Sequence, residues 1–564
     1  MRKFVLMCFL WFVGMHSTYT ATPIKETNFI SPVKYKVRLA GSFGELRGRH
    51  FHAGLDIKSS QGRSGDSIFA AESGYISRIR IQRAGYGKSI YVNHANGYTT
   101  VYAHLDGYQP ELEEFIKKKQ VEMQSYEVDI LPEQGMFEVE KGQHMAFLGN
   151  TGISYGPHLH FEIRETTTDK AINPFLFGIT AYDKTPPVIT SVRITGLRPD
   201  FHKVYDYKIP FTGRKKKVMK EISLEVPAWR AGIAIAAHDF MNESHNKHGI
   251  YKLEMWVDDT LYYQVEYGQF LLKETHLIDA HTRFEVARKN YSTEVLCYRM
   301  PGNQLTMVQN DKQRGLINLY KDSWRRVELR VSDFNGNESK YRFQIKRAAS
   351  FEAPPSRTTN IRHGQFQQFR HKDLEVGFMP QSLARDIPFE VTSSADSIAT
   401  EYSIGDSQEP ILDGIRLSVR IPEMYLSKKN KLCFARLNGR GRPTDYGQTL
   451  KGDSLVTTTT DFGKYGFVID EKAPDIIPLS FSGNPKGQQF RFRIRDNIQT
   501  SNGAQAFTYH VWIDEQWMPC DFRSLSETLT VPIGQLSQGV HDLVIEAKDQ
   551  FDNLSRWTAT FTKK

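Results

Sequence analysis

The chain has 564 residues, 40% of them hydrophobic and 24% charged, with a formal net charge of +9. That length exceeds what one hydrophobic core serves and implies about four domains, while the composition excludes gross disorder. The basic excess is mild and fits either a solvated surface or an anionic cell-wall polymer as partner. The one dense basic run, at 214–217, reads as an exposed loop and not as a nucleic-acid site.

In chain order, Arg2 and Lys3 precede an apolar run at 4–15, followed by Ser17, Thr18, Thr20 and Ala21. This is the layout of a secretory signal peptide over 1–21, with a core too short to span a bilayer. Cys8 lies too early, and follows Met7, so it does not read as a lipoprotein acceptor. No other segment approaches about 18 apolar residues, so no transmembrane span is expected. The mature chain is expected to be exported, to the periplasm or cell envelope or beyond the cell. Past the signal only Cys297, Cys433 and Cys520 remain. So scattered and odd a set has neither disulfide nor metal-ligand spacing and reads as buried single thiols.

Short strand-like segments separated by Gly and Asn turns fill 30–180, at 34–39, 67–71, 74–82, 89–93, 99–104 and 144–148. Residues 109–128 break the pattern. Pro110 at the start, Glu111, Glu113 and Glu114 in the first turn and Lys117, Lys118 and Lys119 later predict a helix inside an otherwise β domain. A linker with Pro186 and Pro187 then marks a boundary, and a similar junction recurs at 470–475.

The segments beyond the two junctions are alike. Each has a strand ending in an aspartate (Asp239, Asp496), then Met255-Trp256-Val257-Asp258 against Val511-Trp512-Ile513-Asp514. Each closes similarly, with Asp333-Phe334-Asn335-Gly336-Asn337 against Asp549-Gln550-Phe551-Asp552-Asn553. The pattern predicts two copies of one β-sandwich, at 185–348 and 473–564, the first enlarged by insertions. Between them a polar segment at 356–373 leads into strand-like patterns, which predict a third sandwich at 365–470. The Asp- and Asn-rich loops of these units have residues suited to calcium, but turn formation accounts for them without a metal.

The chemistry concentrates in the first 180 residues. His158 and His160 lie two apart in an apolar run, so on a strand they share a face, with Leu159 and Phe161 on the other. His52 and Asp56, four apart, add donors suited to zinc. Two His and one Asp leave a position for water, the arrangement of a catalytic metal site.

These residues also carry a family resemblance. His52-x-x-x-Asp56, Tyr102-Ala103-His104-Leu105 and Gly156-Pro157-His158-Leu159-His160-Phe161-Glu162 resemble the three motifs of the M23 (lysostaphin/LytM-type) zinc metallopeptidases, and the turns at 93–98 and 139–143 match as well. The resemblance covers roughly residues 40–178. It implies that His52, Asp56 and His160 hold one zinc ion per chain and that His104 and His158 form the catalytic pair beside it. His50 and Glu162 are candidates to support the ligands, and Tyr86, Tyr102 and Tyr155 are candidate groove residues. Tyr155 stands where the family usually has a small Thr.

The expected architecture is mainly β: an M23-type antiparallel domain at 28–182 with a helical insert at about 106–137, then about three Ig-like β-sandwiches. The insert begins directly after His104 and has two readings, a wall or lid of the substrate groove, or an element packed against the downstream sandwiches. The implied activity is zinc-dependent hydrolysis of peptide cross-bridges in bacterial peptidoglycan. Its partners would be peptidoglycan peptide stems and, through the C-terminal domains, an envelope protein. Two alternatives stand beside it: a non-catalytic activator of other wall hydrolases, and a zinc endopeptidase acting on protein substrates.

Overall fold

Alternation of residue type builds the central strand of the N-terminal unit. Leu159, Phe161 and Ile163 point into an apolar core, and His158, His160, Glu162 and Arg164 line the other face. The computed structural model describes residues 29–209, 221–242, 244–290, 293–351, 358–394, 400–438, 443–500 and 507–564. The expected signal peptide at 1–21, the basic run at 214–217 and the opening of the polar segment at 356–373 lie outside the described residues.

The main N-terminal strands are β1 (Leu39–Gly41), β2 (Leu55–Lys58), β3 (Gly74–Ile81), β4 (Lys88–His94), β5 (Tyr98–Ala103), β6 (Val128–Ile130) and β7 (His158–Glu165). They pair antiparallel in the order β1-β2-β7-β5-β4-β3-β6. This order places β7 between β2 and β5, with His160 opposite Asp56 on one side and Ala103 on the other. The strand expected at 34–39 is confined to β1. Residues 32–35 bend instead, with Val33 buried and the Lys34 ammonium 4.0 Å from the Phe69 ring centre.

Helix α1 (Pro110–Met123) follows β5 after a short strand, with Pro110 in its first turn, Glu111 and Glu113 at the positive end of the dipole, and Gln124 closing it in the left-handed region. Leu112, Ile116 and Gln120, each four apart, form its buried stripe.

Three further pairs of sheets complete the chain: five and six strands between 188 and 347, five and six between 367 and 500, and four and four between 475 and 563. The last two pairs enclose separate apolar cores. The first shares a continuous core with the N-terminal unit, and Lys170–Ile172 pairs with β7 on one side and Gln269–Leu271 on the other, so one sheet crosses that boundary. Cys297, Cys433 and Cys520 are free and buried. No helix among the described residues is long and apolar enough to cross a membrane.

Polar contacts draw the later units back onto the first. Arg49 donates to Asp279 Oδ2 at 2.8 Å, to Thr460 Oγ1 at 2.9 Å and to the Ile411 carbonyl at 3.0 Å, joining three units through one guanidinium. The last unit meets the other side: Arg83 donates to the Phe507 carbonyl, Arg523 to the Asn150 carbonyl, and Tyr126, just past α1, to Asp521. Removing the Arg49 fork by Arg49→Ala is expected to speed amide exchange about tenfold at 411–412 and 459–462, the equivalent of about 1.4 kcal/mol of local stability. Hydrogen–deuterium exchange with mass spectrometry reads this directly, and unchanged protection there would show that Arg49 does not clamp the units.

Candidate metal centre

Three donors converge under the β2–β7 pair. His52 Nε2 lies 3.0 Å from Asp56 Oδ1 and 2.9 Å from His160 Nδ1, and His160 Nδ1 lies 2.9 Å from the same Asp56 oxygen. All three residues are buried. Hydrogen bonds on the far side of each ring assign the tautomers. His52 Nδ1 donates to the Ser42 carbonyl at 2.7 Å, and His160 Nε2 donates to Glu162 Oε1 at 2.6 Å. Both nitrogens facing the centre therefore present lone pairs, and a carboxylate oxygen joins them. Lone pairs at that separation in a buried site repel unless a proton or a metal ion lies between them, and the donor set suits a metal ion with imidazole and carboxylate preference.

Supports surround the three donors. Asp56 Oδ2 accepts from Arg47 at 2.7 Å. Glu162, fully buried, takes His160 on one oxygen and Arg164 Nε at 2.6 Å on the other, and the Tyr86 hydroxyl donates to it as well. Burial works against charge on His160, but Asp56 and Glu162 prevail and raise the ring to about 9. Burial would also raise Asp56, yet His52, His158 and His160 hold it well below the usual carboxylate range. The pocket attracts positive charge.

Two more imidazoles flank the donors. His158 half-emerges at the start of β7, its Nδ1 donating to the Gly156 carbonyl at 2.8 Å and its Nε2 3.5 Å from Asp56 Oδ1. The His104 ring centre lies 4.7 Å from that of His158, and its Nδ1 donates to the Thr151 carbonyl at 2.8 Å. Burial, reinforced by His158 and His160, lowers His104 to about 3, so its Nε2 is a neutral acceptor.

His104 reaches the site by a backbone device. Strict alternation along β5 would set it on the face of Tyr102, which is fully buried, packs on Phe161 and accepts from the Ala71 amide. Its φ of 60° reverses the chain direction and turns the ring the other way. Tyr102, a groove candidate by sequence, is thereby corrected to a core residue. Tyr86 stacks on His160, with ring centres 5.1 Å apart, and serves its hydrogen-bond network. Tyr155 projects at 92% exposure from the loop before β7. His50 is exposed on a two-residue strand and makes no hydrogen bond to the three donors among the described residues.

Sequence reasoning missed Arg47, Arg164 and the carbonyls of Ser42, Thr151 and Gly156. Arg164 was within reach, as the next residue of the period-two series His158, His160, Glu162. No spacing signals the others.

Residues 50–121 match the Peptidase family M23 model, and the match ends inside α1, before His158 and His160. Residues 358–470 match a Zu5-like domain. Among curated relatives, an uncharacterized metalloprotease of Haemophilus influenzae is 32% identical over 150 residues, covering 25% of this chain and 26% of the relative. The DD-carboxypeptidase/endopeptidase Mpg of Neisseria meningitidis serogroup B is 28% identical over 156 residues, covering 28% of each chain. The murein hydrolase activator NlpD of Escherichia coli is 30% identical over 158 residues, covering 28% of this chain and 32% of the relative. The similarity thus spans about a quarter to a third of the relatives' length. Among solved structures, the catalytic domain of lysostaphin from Staphylococcus simulans is similar at 23% identity, covering 25% of this chain and 91% of that one with a TM-score of 0.19. The chain is mainly β, and within its N-terminal unit residues 50–121 are similar to peptidase family M23.

Proposed function

We propose that the mature chain is an exported zinc metalloendopeptidase that hydrolyses peptide cross-bridges of bacterial peptidoglycan, with His52, Asp56 and His160 as the ligands of one zinc ion. The observation that carries this reading is the meeting of two imidazole lone pairs and one carboxylate oxygen at 2.9–3.0 Å. Zinc bound there would lower the pKa of a water and polarise the scissile carbonyl. The relatives named as a DD-carboxypeptidase/endopeptidase and as a murein hydrolase activator support the substrate class.

The protein's own groups supply the rest. Each flanking imidazole is fixed by a bond from Nδ1 to a backbone carbonyl, which leaves Nε2 free to exchange a proton. His104, held neutral, is poised to accept a proton from the attacking water and return it to the leaving amine. His158, nearer solvent, is placed to donate to the oxyanion. Glu162, locked by Arg164 and Tyr86, fixes the His160 ring so that Nδ1 faces the centre. Exposed Tyr155 is placed to meet substrate at the mouth of the site.

The relatives named as murein hydrolase activators favour a second reading, in which the chain stimulates another hydrolase without cutting. Purified mature protein assayed on peptidoglycan separates the two. Release of uncross-linked muropeptides that a chelator abolishes and zinc restores is expected. No release, together with stimulation of an added hydrolase, would establish the activator reading instead.

Two variant series refine the roles. His104→Ala and His158→Ala are each expected to lower kcat by roughly 10²–10⁴-fold while zinc stays near one per chain. Loss of zinc from either, by elemental analysis, would make that residue a ligand. Glu162→Gln keeps the shape but weakens the hold on His160, and is expected to weaken zinc affinity roughly 10–100-fold in a competition titration. An unchanged affinity would leave Glu162 no part in metal retention.

A further inference from the structure

Two more clusters of buried acid groups occur outside the N-terminal unit, and they are copies of each other. Asp183, Asp239 and Asp333 bring one carboxylate oxygen each within 4.8 Å of the others, and so do Asp470, Asp496 and Asp549. All six are at least nine-tenths buried. Their surroundings repeat in detail. Asp183 Oδ1 accepts from the amide of Thr185, and Asp470 Oδ1 from the amide of Lys472, each two residues on. Asp333 takes both the amide and the side-chain nitrogen of Asn337, as Asp549 takes those of Asn553. Ser339 donates to the Pro187 carbonyl and Ser555 to that of Pro474.

Turns engage both oxygens of Asp333 and Asp549 and one each of Asp183, Asp470 and Asp496, and leave others over. Asp183 Oδ2 and Asp239 Oδ1 in the first cluster, and Asp470 Oδ2 and Asp496 Oδ2 in the second, are buried without any hydrogen-bond partner. No lysine or arginine pairs with any of the six among the described residues. Isolated buried carboxylate oxygens are among the costliest groups in a protein interior. Crowding adds to this: burial, then the two neighbouring carboxylates, push Asp239 up to about 7, and burial with Asp470 and Asp549 does the same to Asp496. One such cluster could be an accident of packing. Two, built from matching residues in two units, call for one explanation.

We propose that each triad binds a calcium ion. The donors are all oxygen, which selects a hard cation, and the unpaired carboxylate oxygens supply charged ligands that backbone carbonyls and water would complete. The sites also have a place in the architecture. Asp470 directly follows Gly463–Ile469, a strand of the preceding unit, while Asp496 and Asp549 belong to the last unit. Asp183 lies in the linker entering the first sandwich, whose strands end near Asp239 and Asp333. Each ion would fasten an incoming chain segment to the sandwich it enters.

The test uses the full mature chain with its zinc retained, stripped of calcium and titrated with calcium chloride to about 5 mM, above the roughly 10⁻⁴–10⁻³ M affinities of extracellular calcium modules. Equilibrium dialysis is expected to show two calcium ions per chain, falling to one in Asp239→Asn, one in Asp496→Asn and none in the double variant. Calcium should raise the wild-type Tm by about 5 °C and leave the double variant unmoved, and magnesium at the same concentration should do less. Both single variants relieve like-charge repulsion and are expected to fold without calcium. Should either fail to, the wild-type stoichiometry alone decides. Fewer than two ions bound, binding that survives the double substitution, or a response to magnesium and not calcium would overturn the proposal.

Discussion

The structure of the N-terminal unit turns on one electrostatic constraint: His52 Nε2, His160 Nδ1 and Asp56 Oδ1 meet within 3.0 Å of one another in a buried place. Nothing in an apolar core favours such a meeting, so every element around it must hold it in place. The β2–β7 register sets His160 opposite Asp56. Ser42 fixes one ring, Glu162 the other, and Arg47 takes the spare carboxylate oxygen. The opposite face of β7 anchors this polar ladder, with Leu159, Phe161 and Ile163 all fully buried. Burying each contributes about 1.5–3 kcal/mol, which offsets the cost of desolvating polar groups on the other face.

The downstream units join this arrangement and do not hang from it. Asn242, next to the first aspartate triad, begins a loop whose Ser244 donates to the Leu39 carbonyl. The Gly249 amide, at the end of that loop, donates to Ser42, the residue whose carbonyl orients His52. From the other direction, Arg523 of the last unit grips the Asn150 carbonyl, beside the Thr151 carbonyl that orients His104. Two imidazoles of the site thus rest on loops that later units brace. This arrangement gives the C-terminal two-thirds of the chain a physical bearing on the metal centre.

Much of this can be read along the chain, and the exceptions have physical causes. Period two alone puts His158, His160 and Glu162 on one face. The helix at α1 is written in Pro110 and the acids after it. The matching of the Asp333 and Asp549 closures is equally plain. Convergence in space is not: Asp183 lies 56 residues from Asp239, and only the fold shows that their second oxygens meet unpaired. Tyr102 neighbours His104 in sequence but not in space: the left-handed φ of His104 turns that ring toward the site and leaves Tyr102 in the core. Arg47 escaped notice because a short hairpin, and no periodicity, brings it to Asp56.

The decisive measurement is X-ray absorption at the zinc edge on the purified full chain. A first shell of nitrogen and oxygen only, at about 2.0–2.2 Å, with the outer-shell scattering of two imidazoles, is expected. Sulfur at about 2.3 Å, or a zinc shell without imidazole, would be incompatible with this centre, because all three described cysteines are buried away from the site as free thiols.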